Sequence, residues 1–316
     1  MSESEGRTPA TPHEPKGTAP AGQSLSPRTH PRGDEEATGA PRRRRPSQQG
    51  GASRAPGGEW EERASGLIQP RVSIVVPAYN EGDQIVPVLD RLFESVRLQC
   101  EVLIVVDDEN DTTVPVVTEY ARKEPRIRCL VNTYGPGPAN AIRFGIDAAA
   151  APVTVVTMAD GCDDPLQIDD LARLVDRGVA VAAASRYMPG GQQVGGPVIK
   201  GFLSQTAGRS LRILAHTGTR DATNSFKAYS TSFVRQVGID SRHGFEIGIE
   251  LTAKAKRMGL PVAEIPTIWL DRQAGVSNFR VASWIPRYLR WYRFAFGPKL
   301  TAEQIRSRGE AARKTP

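Results

Sequence analysis

Two short apolar runs of the sequence end in clustered aspartates. Asp107 and Asp108 follow the run VLIVV, and Asp160, Asp163 and Asp164 follow the run VTVVT. Carboxylates placed this close together repel one another unless a positive partner lies beside them. A divalent cation prefers carboxylate oxygens as ligands, and a helix N-terminus also stabilises negative charge. Three explanations are therefore open for how the second cluster tolerates this repulsion: a bound metal ion, a helix cap, or hydration by solvent.

The elements that must position these aspartates alternate between strands and helices. Runs that are apolar almost throughout indicate strands buried on both faces, and helix-like segments separate them. The predicted strands are VSIVVPAY (72–79), EVLIVVDD (101–108), IRCLVN (127–132), VTVVTMA (153–159) and VAVAAASR (179–186). The alternation predicts an α/β fold with a mostly parallel central sheet and flanking helices. Ligands bind beyond the carboxyl ends of such strands, where the clustered aspartates lie.

Composition divides the 316 residues, which carry a net charge of +6, into three parts. Residues 1–69 are rich in Pro, Gly and Arg and almost lack branched apolar residues, so we expect a disordered tail. Residues 70–300 have the size of one domain, and 301–316 are expected to form a polar C-terminal tail. The arginine run at 42–45 is most simply a solvated linker, so we expect no nucleic-acid partner.

The sequence predicts a cytoplasmic protein with a contact to the membrane surface as a further option. It has neither a signal-peptide pattern nor a run of about 18 apolar residues, the length that would cross a bilayer. The segment VASWIPRYLRWYRFAFG (281–297), if helical, places arginines at 287, 290 and 293 beside aromatic residues at 284, 288 and 291. This pattern is typical of a helix at a membrane interface, and equally of a terminal helix that packs its aromatic residues on the core.

Six ordered blocks of the sequence resemble glycosyltransferase family 2, in particular its dolichyl-phosphate and polyprenyl-phosphate mannosyl- or glucosyltransferases. The blocks are VSIVVPAYNEGDQI, VLIVVDDENDTT, MADGCDDP, SRYMPGG, DATNSFKAY and GFEIGIELTAKAKRMGLPVAEIPTIWLDRQAGVSNF. The resemblance covers about residues 70–297. It implies a GT-A (Rossmann-like) fold, an inverting mechanism, a nucleotide diphosphate sugar as donor and a Mg²⁺ or Mn²⁺ ion.

The resemblance also implies which residues bind the donor. Asp107 and Asp108 would accept hydrogen bonds from the base and the ribose, and Arg186 would contact phosphate. The other implied donor-binding residues are Pro77, Tyr79, Asn80, Glu81 and Gly137. From the residues alone, the same stretches also suit a turn and a helix cap.

The metal-binding DxD motif of the family reads MAD at 158–160 in this chain. The thioether of Met158 is a poor ligand for a hard cation, so we expect this side chain to pack at the strand end. Asp160 is the predicted metal ligand. Asp163 or Asp164 would supply the missing carboxylate, and both equally suit the cap of the following helix. We take Asp160 and Asp163 as the metal-binding and catalytic pair.

The acceptor determines which further groups the reaction needs. A phosphate monoester is already anionic and calls for cationic residues. Arg272 and Ser277 match the acceptor block of the family, and Lys254 and Lys256 lie nearby in the sequence. On this basis we expect transfer of a hexose to a polyprenyl (dolichyl-type) phosphate.

A hydroxyl acceptor would instead need a general base, because its proton must leave as it attacks. Glu246 aligns with an acid of the family, and Glu250 lies four residues later on the same face of a predicted helix. Transfer to a hydroxyl of a glycan or a small metabolite is therefore an alternative. A catalytically silent scaffold that binds a sugar nucleotide is another, because Met158 breaks the metal motif.

Overall fold

A computed structural model describes residues 69–196, 198–271 and 281–314 of the chain. The strands are β1 (Val72–Pro77), β2 (Cys100–Val106), β3 (Ile127–Val131), β4 (Val153–Val156), β5 (Val181–Ser185), β6 (Gln192–Val194), β7 (Lys227–Ser230), β8 (Val262–Pro266) and β9 (Ile268–Leu270). The helices are α1 (Ile85–Ser95), α2 (Thr113–Tyr120), α3 (Pro138–Ala148), α4 (Ile168–Asp176), α5 (Val198–Leu214), α6 (Thr231–Val237), α7 (Ile247–Met258), α8 (Val281–Ala295) and α9 (Ala302–Lys314).

A seven-stranded sheet with the order β3-β2-β1-β4-β7-β5-β8 forms the centre of the fold. All neighbouring strands in it run parallel except β7, which pairs antiparallel with β4 and with β5. The five predicted strands are present, and the predicted α/β class with a mostly parallel sheet is confirmed. Strands β7 and β8 and the small β6-β9 sheet were not predicted.

Helices cover both faces of the sheet, which is why its central strands are apolar throughout. In β1, Ile74 faces the layer that contains Leu89 of α1, whereas the next residue, Val75, faces the layer that contains Ile142 of α3. Helix α3 approaches β1 so closely that a Cβ on Gly145 would lie 2.4 Å from a methyl group of Val75. The buried faces therefore fix the strand ends firmly in space.

The C-terminal residues, expected to form a polar tail, fold as helix α9. Ile305 of α9 is 2 % exposed and belongs to the same apolar cluster as Val234 and Val237 of α6. The buried side chain of Ile305 therefore docks this otherwise polar helix on α6. Among the helices of the described ranges, none is both long and apolar enough to cross a membrane.

Candidate active site

Asp107 links the end of β2 to the loop that precedes α3. Its Oδ2 accepts a hydrogen bond from the backbone N–H of Gly137 over 2.7 Å, and its Oδ1 accepts one from the side-chain amide of Asn132 over 3.0 Å. Gly137 has a φ of 107°, a conformation that favours glycine. The structure therefore brings the predicted pair of Asp107 and Gly137 into direct contact.

Asp108 points outward beside them and is exposed. Hydrogen bonds from the backbone and from the side-chain amide of Asn110, both 2.7 Å long, lower the pKa of its carboxyl group. The group therefore stays an ionised hydrogen-bond acceptor at the protein surface.

The loop after β1 lies against the loop after β2 and the start of α2. Asn80 has a positive φ of 54°, and its N–H donates to Oδ2 of the buried Asp111 over 2.9 Å. The N–H of Glu81 donates to the hydroxyl of Thr113 over 3.0 Å. These bonds join the segment that starts at Pro77 to the loop after β2. Tyr79 is left 71 % exposed, so its ring is accessible to a ligand.

Asp163 lies buried beneath the end of β4. Its Oδ2 accepts hydrogen bonds from the hydroxyl of Thr157 over 3.0 Å and from the backbone N–H of Met158 over 3.2 Å. Burial, followed by the charge of Asp160, raises the pKa of Asp163 to about 7, although the charge of Arg186 acts in the opposite direction. The structure therefore brings Asp160, Asp163 and Arg186 within electrostatic reach of one another.

Asp164 faces away from this group and caps a turn. Its Oδ1 accepts the backbone N–H of Leu166 over 3.3 Å and pairs with the guanidinium of Arg91 over 3.2 Å. The turn that it caps, Pro165–Gln167, is a short 3₁₀ helix ahead of α4. Of the two roles left open for Asp164, the structure supports the cap.

The carboxylates of Asp160 and Asp163 fit a divalent cation that shares its ligands with a substrate. Within the described ranges, no three His, Cys, Asp or Glu residues converge closely enough to enclose a metal ion. Mg²⁺ is typically held by one or two carboxylates together with substrate phosphates and water, so two are sufficient.

Arg186 follows β5 and is held by an acid that the sequence analysis did not identify. Its Nε donates to Oδ2 of Asp221 over 2.7 Å, and its Nη2 donates to Oδ1 over 2.9 Å. Burial alone would lower the pKa of Arg186, but the charge of Asp221 and the hydrogen bonds to it, together with the charges of Tyr187 and Asp163, outweigh burial and raise the pKa. Lys227 lies behind the pair, fully buried, and burial lowers its pKa to about 7. The only sequence signal for both residues was the block DATNSFKAY.

Glu246 immediately precedes α7 and Glu250 lies in its first turn, and the two have different environments. Glu250 is fully buried, accepts the backbone N–H groups of Asp240 and Ser241 over 2.6 and 2.9 Å, and pairs with Lys254 over 2.6 Å. It therefore holds a turn in place, and the prediction that it could serve as a base was wrong.

Glu246 is 2 % exposed, and its Oε2 has no hydrogen-bond partner among the described residues. Burial and the charge of Glu246 raise the pKa of Tyr288, and Arg186 acts in the opposite direction. Tyr288 of α8 therefore lies near both groups. Glu246 consequently remains a candidate base on the side of the site that α8 borders.

The two lysines considered for phosphate binding point elsewhere. Lys254 is buried against Asp240 over 2.8 Å as well as against Glu250, and Lys256 donates to the carbonyl of Ala295 over 2.9 Å. Their prediction as acceptor ligands is corrected, because their amines join α7 to neighbouring segments. Arg272 and Ser277, the predicted acceptor-binding residues, lie outside the described residues.

Helix α8 divides its residues between the core and solvent. Trp291 is 4 % exposed and donates its indole N–H to the hydroxyl of Ser241 over 3.1 Å. The opposite face exposes Ile285 and Leu289 together with Arg290 and Arg293. The aromatic residues Tyr288, Trp291, Tyr292 and Phe294 thus pack on the core, while Phe296 and the aliphatic and cationic residues form the outer surface.

Comparisons with known proteins agree with this geometry. The model of the family "Glycosyl transferase family 2" matches residues 73–238. Polyprenol monophosphomannose synthase of Mycolicibacterium smegmatis is 30% identical over 244 residues, which cover 72% of this chain and 91% of that protein. Undecaprenyl-phosphate mannosyltransferase of Micrococcus luteus is 28% identical over 214 residues, which cover 66% and 87%.

Solved structures share the fold. Glucosyl-3-phosphoglycerate synthase of Mycobacterium tuberculosis, in complex with Mn²⁺, UDP and glucosyl-3-phosphoglycerate, has a TM-score of 0.54 at 17% identity over 79% of this chain and 88% of that one. A mannosyltransferase of Pyrobaculum calidifontis with GDP-Man and Mn²⁺ has a TM-score of 0.52 at 19% identity over 77% and 70%. The chain is therefore a glycosyltransferase with a GT-A fold, and it belongs to glycosyltransferase family 2.

Proposed function

We propose that this glycosyltransferase transfers a hexose from a nucleotide diphosphate sugar to a polyprenyl phosphate with inversion at the anomeric carbon. The observation that carries the proposal is Arg186, a guanidinium fixed beside Asp160 and Asp163 at the carboxyl edge of the sheet. A fixed cation next to a metal-binding pair suits chemistry between phosphate groups. The names of the two curated relatives, which act on polyprenol and undecaprenyl phosphates, support the acceptor.

In this proposal the donor occupies the cleft between the loops after β1 and β2. Asp107 and Asp108 accept hydrogen bonds from the base and ribose, and the ring of Tyr79 contacts the base. Because the backbone N–H of Gly137 already fixes the carboxylate of Asp107, the donor would find this hydrogen-bond acceptor in an ordered position. Pro77, Asn80 and Glu81 shape the wall of the same pocket.

Asp160 and Asp163 would hold Mg²⁺ or Mn²⁺, which supplies a Lewis acid that stabilises the negative charge of the leaving nucleoside diphosphate. The buried Asp163 is fixed by Thr157 and by the backbone of Met158, so it needs no rearrangement before it binds the cation. The acceptor phosphate oxygen forms its bond to the anomeric carbon as the bond to the diphosphate breaks. No proton has to be removed from an ionised phosphate, so this reaction requires no base.

Transfer to a hydroxyl acceptor is the second candidate function, and the buried carboxylate of Glu246 favours it. The Oε2 of this buried carboxylate has no hydrogen-bond partner among the described residues. An unsatisfied buried acceptor destabilises the fold unless a substrate supplies the missing hydrogen bond. In this alternative Glu246 takes the proton of the attacking alcohol.

For localisation we propose that residues 70–300 form the catalytic domain and that the outer face of α8 rests on a membrane surface. Ile285, Leu289 and Phe296 would enter the interface while Arg290 and Arg293 contact anionic headgroups. Such a contact would bring the polyprenyl phosphate to the side of the site near Tyr288.

The test is an assay with radiolabelled GDP-mannose and UDP-glucose, Mn²⁺ and either undecaprenyl phosphate or a panel of hydroxyl acceptors. We expect label to move into the organic phase with undecaprenyl phosphate, and Asp160→Asn to abolish it. Label found only in hydroxyl products supports the second candidate. Donor binding by calorimetry without any transfer would instead support a silent scaffold and overturn the proposal.

A further inference from the structure

Three hydrogen bonds from Arg186 converge on the single carboxylate of Asp221. Its Nε and its backbone N–H both donate to Oδ2, over 2.7 and 3.1 Å, and its Nη2 donates to Oδ1 over 2.9 Å. Nη2 also reaches the hydroxyl of Ser204 over 3.4 Å. Within the described ranges, Nη1 donates to no protein atom. The guanidinium is thus held on one edge, and one nitrogen is left available.

Asp221 is itself held rigidly by its own loop. Its Oδ1 also accepts the backbone N–H of Asn224 over 3.2 Å, and the side-chain amide of Asn224 donates to the carbonyl of Ala184 in β5 over 2.9 Å. Lys227 donates to the carbonyl of Asp221 over 3.1 Å. These bonds fix the carboxylate relative to β5, the strand that Arg186 follows.

Helix α5 closes the loop from the other side. A Cβ on Gly208 would lie 1.9 Å from the carbonyl oxygen of Arg220, so only glycine allows the helix to approach this closely. Asp221 is fully buried as a result. Burial would raise the pKa of Asp221, but the charge and hydrogen bonds of Arg186 lower it, so the acid remains ionised beside its partner.

We propose that Asp221 is a positioning residue of the transfer site, which holds Arg186 so that Nη1 is presented to a phosphate oxygen of a bound substrate. The proposal rests on the proposed function only in that it requires a phosphate to occupy the site. An unrestrained arginine loses considerable rotamer freedom when it binds an anion, and Asp221 removes that freedom beforehand. The phosphate belongs either to the donor diphosphate or to the polyprenyl phosphate.

The experiment measures KM for each substrate separately in Asp221→Asn. This substitution keeps the shape of the side chain but removes the charge, and its NH₂ group cannot accept the bond from Arg186. We expect a rise in KM of about 10- to 100-fold, the loss typical of a hydrogen bond between charged groups. A rise confined to the nucleotide sugar identifies the donor diphosphate, and one confined to undecaprenyl phosphate identifies the acceptor.

The matched control is Glu264→Gln. Glu264 anchors the same loop through the backbone N–H of Arg220 over 2.7 Å and the hydroxyl of Thr219 over 3.2 Å, without contact to Arg186. We expect it to lower Tm and leave both KM values unchanged. A fall in Tm without a change in either KM for Asp221→Asn would overturn the proposal, because the acid would then only stabilise the loop.

Arg186→Lys, alone and combined with Asp221→Asn, tests whether the acid acts through the arginine. If it does, the double variant has the KM of Arg186→Lys alone, whereas independent roles would multiply the two effects. Multiplied effects would overturn the proposal. Should Asp221→Asn fail to fold, Thr223→Val replaces it, because Thr223 donates to Oδ1 of Asp221 over 3.4 Å from the partly buried edge of the loop. It should raise the same KM several-fold, and unchanged KM values would count against the proposal.

A binding measurement tests the role of Asp221 even if the protein does not carry out the proposed reaction. If the wild type transfers nothing to undecaprenyl phosphate, calorimetry with GDP or UDP and Mn²⁺ still compares the wild type with Asp221→Asn. We then expect at least about tenfold weaker binding in the variant. Equal binding of GDP or UDP would exclude the donor diphosphate, and equal binding of undecaprenyl phosphate as well would refute the positioning role.

Discussion

The backbone N–H of Met158 donates a hydrogen bond to Oδ2 of Asp163 over 3.2 Å. Met158 occupies the place of the first acid in the metal-binding motif of the family, and this bond brings a carboxylate from five residues later to the same strand end. The loop over Asp160–Asp164 folds back because Asp163 turns inward while Asp164 caps the next turn. The second carboxylate of the proposed metal site is therefore supplied from outside the motif.

Restoring the missing acid should strengthen the proposed metal site. We expect Met158→Asp to bind Mn²⁺ about tenfold more tightly in the presence of GDP or UDP, because affinity rises with the number of carboxylates. Without metal, the added charge next to Asp163 should lower Tm. Calorimetry and thermal unfolding measure both effects, with Met158→Leu as the neutral control. Unchanged Mn²⁺ affinity in Met158→Asp would place this side chain away from the cation.

The two neighbouring aspartates should respond differently to the same substitution. We expect Asp163→Asn to remove most of the Mn²⁺-dependent transfer. Asp164→Asn should leave it intact, since asparagine caps a helix about as well as aspartate and the exposed pair with Arg91 contributes little. Transfer rates measured against Mn²⁺ concentration test this. Equal losses in the two variants would contradict the division of roles.

Glu246 distinguishes the two acceptor classes. We expect Glu246→Gln to keep transfer to undecaprenyl phosphate within about threefold of the wild type, because an ionised phosphate needs no base. Loss of a general base for a hydroxyl acceptor typically costs about 10²- to 10⁴-fold. A loss of that size with the phosphate acceptor would show that Glu246 takes part in the reaction.

The outer face of α8 should control binding to lipid. Burial of a leucine contributes about 2 kcal/mol, so we expect Leu289→Glu to weaken the binding constant for anionic vesicles about 30-fold. Transfer to a water-soluble short-chain polyprenyl phosphate should stay unchanged. Glu303→Gln on the distant helix α9 is the control, and equal vesicle binding by all three proteins would exclude this face as the contact.

The strands that position the site could be predicted because their physical signal is local. Continuous apolar runs such as β1 and β2 are explained by burial on both faces. Strand β7 was missed because it is four residues long and begins with the buried Lys227, which no propensity assigns to the centre of a sheet. Its antiparallel insertion depends on tertiary packing.

The placement of Asp107 and Asn80 at strand ends could be predicted for the same reason, since Asp107 follows β2 directly and Asn80 lies three residues after β1. The pairing of Arg186 with Asp221 joins residues that are 35 positions apart, and no spacing rule indicates it. Likewise, the sequence placed Glu246 and Glu250 on one helix face. It could not show which of the two carboxylates would accept hydrogen bonds from the backbone of a distant turn. Hydrogen bonds between distant loops decide these roles.

Lys227 should make the stability of the protein rise with pH. Its folded-state pKa is about 7, lowered by burial, while the unfolded chain has the ordinary value near 10.5. The stability linked to this amine is therefore complete above the unfolded value and is lost as pH falls toward 7. Between these values, the free energy of unfolding should increase by up to about 1.4 kcal/mol per pH unit.

Lys227→Met lacks this contribution, whereas the other titrating groups remain in both proteins. Subtracting the unfolding free energy of Lys227→Met from that of the wild type, by urea unfolding at pH 7 to 9.5, should give a difference that grows with pH. The same subtraction for Lys123→Met, which removes an exposed amine, should show no comparable growth. If the Lys227 difference stays constant with pH, the amine keeps its proton in the folded state. The carboxylates of Asp221 and Asp163 would then balance its charge against the repulsion of Arg186.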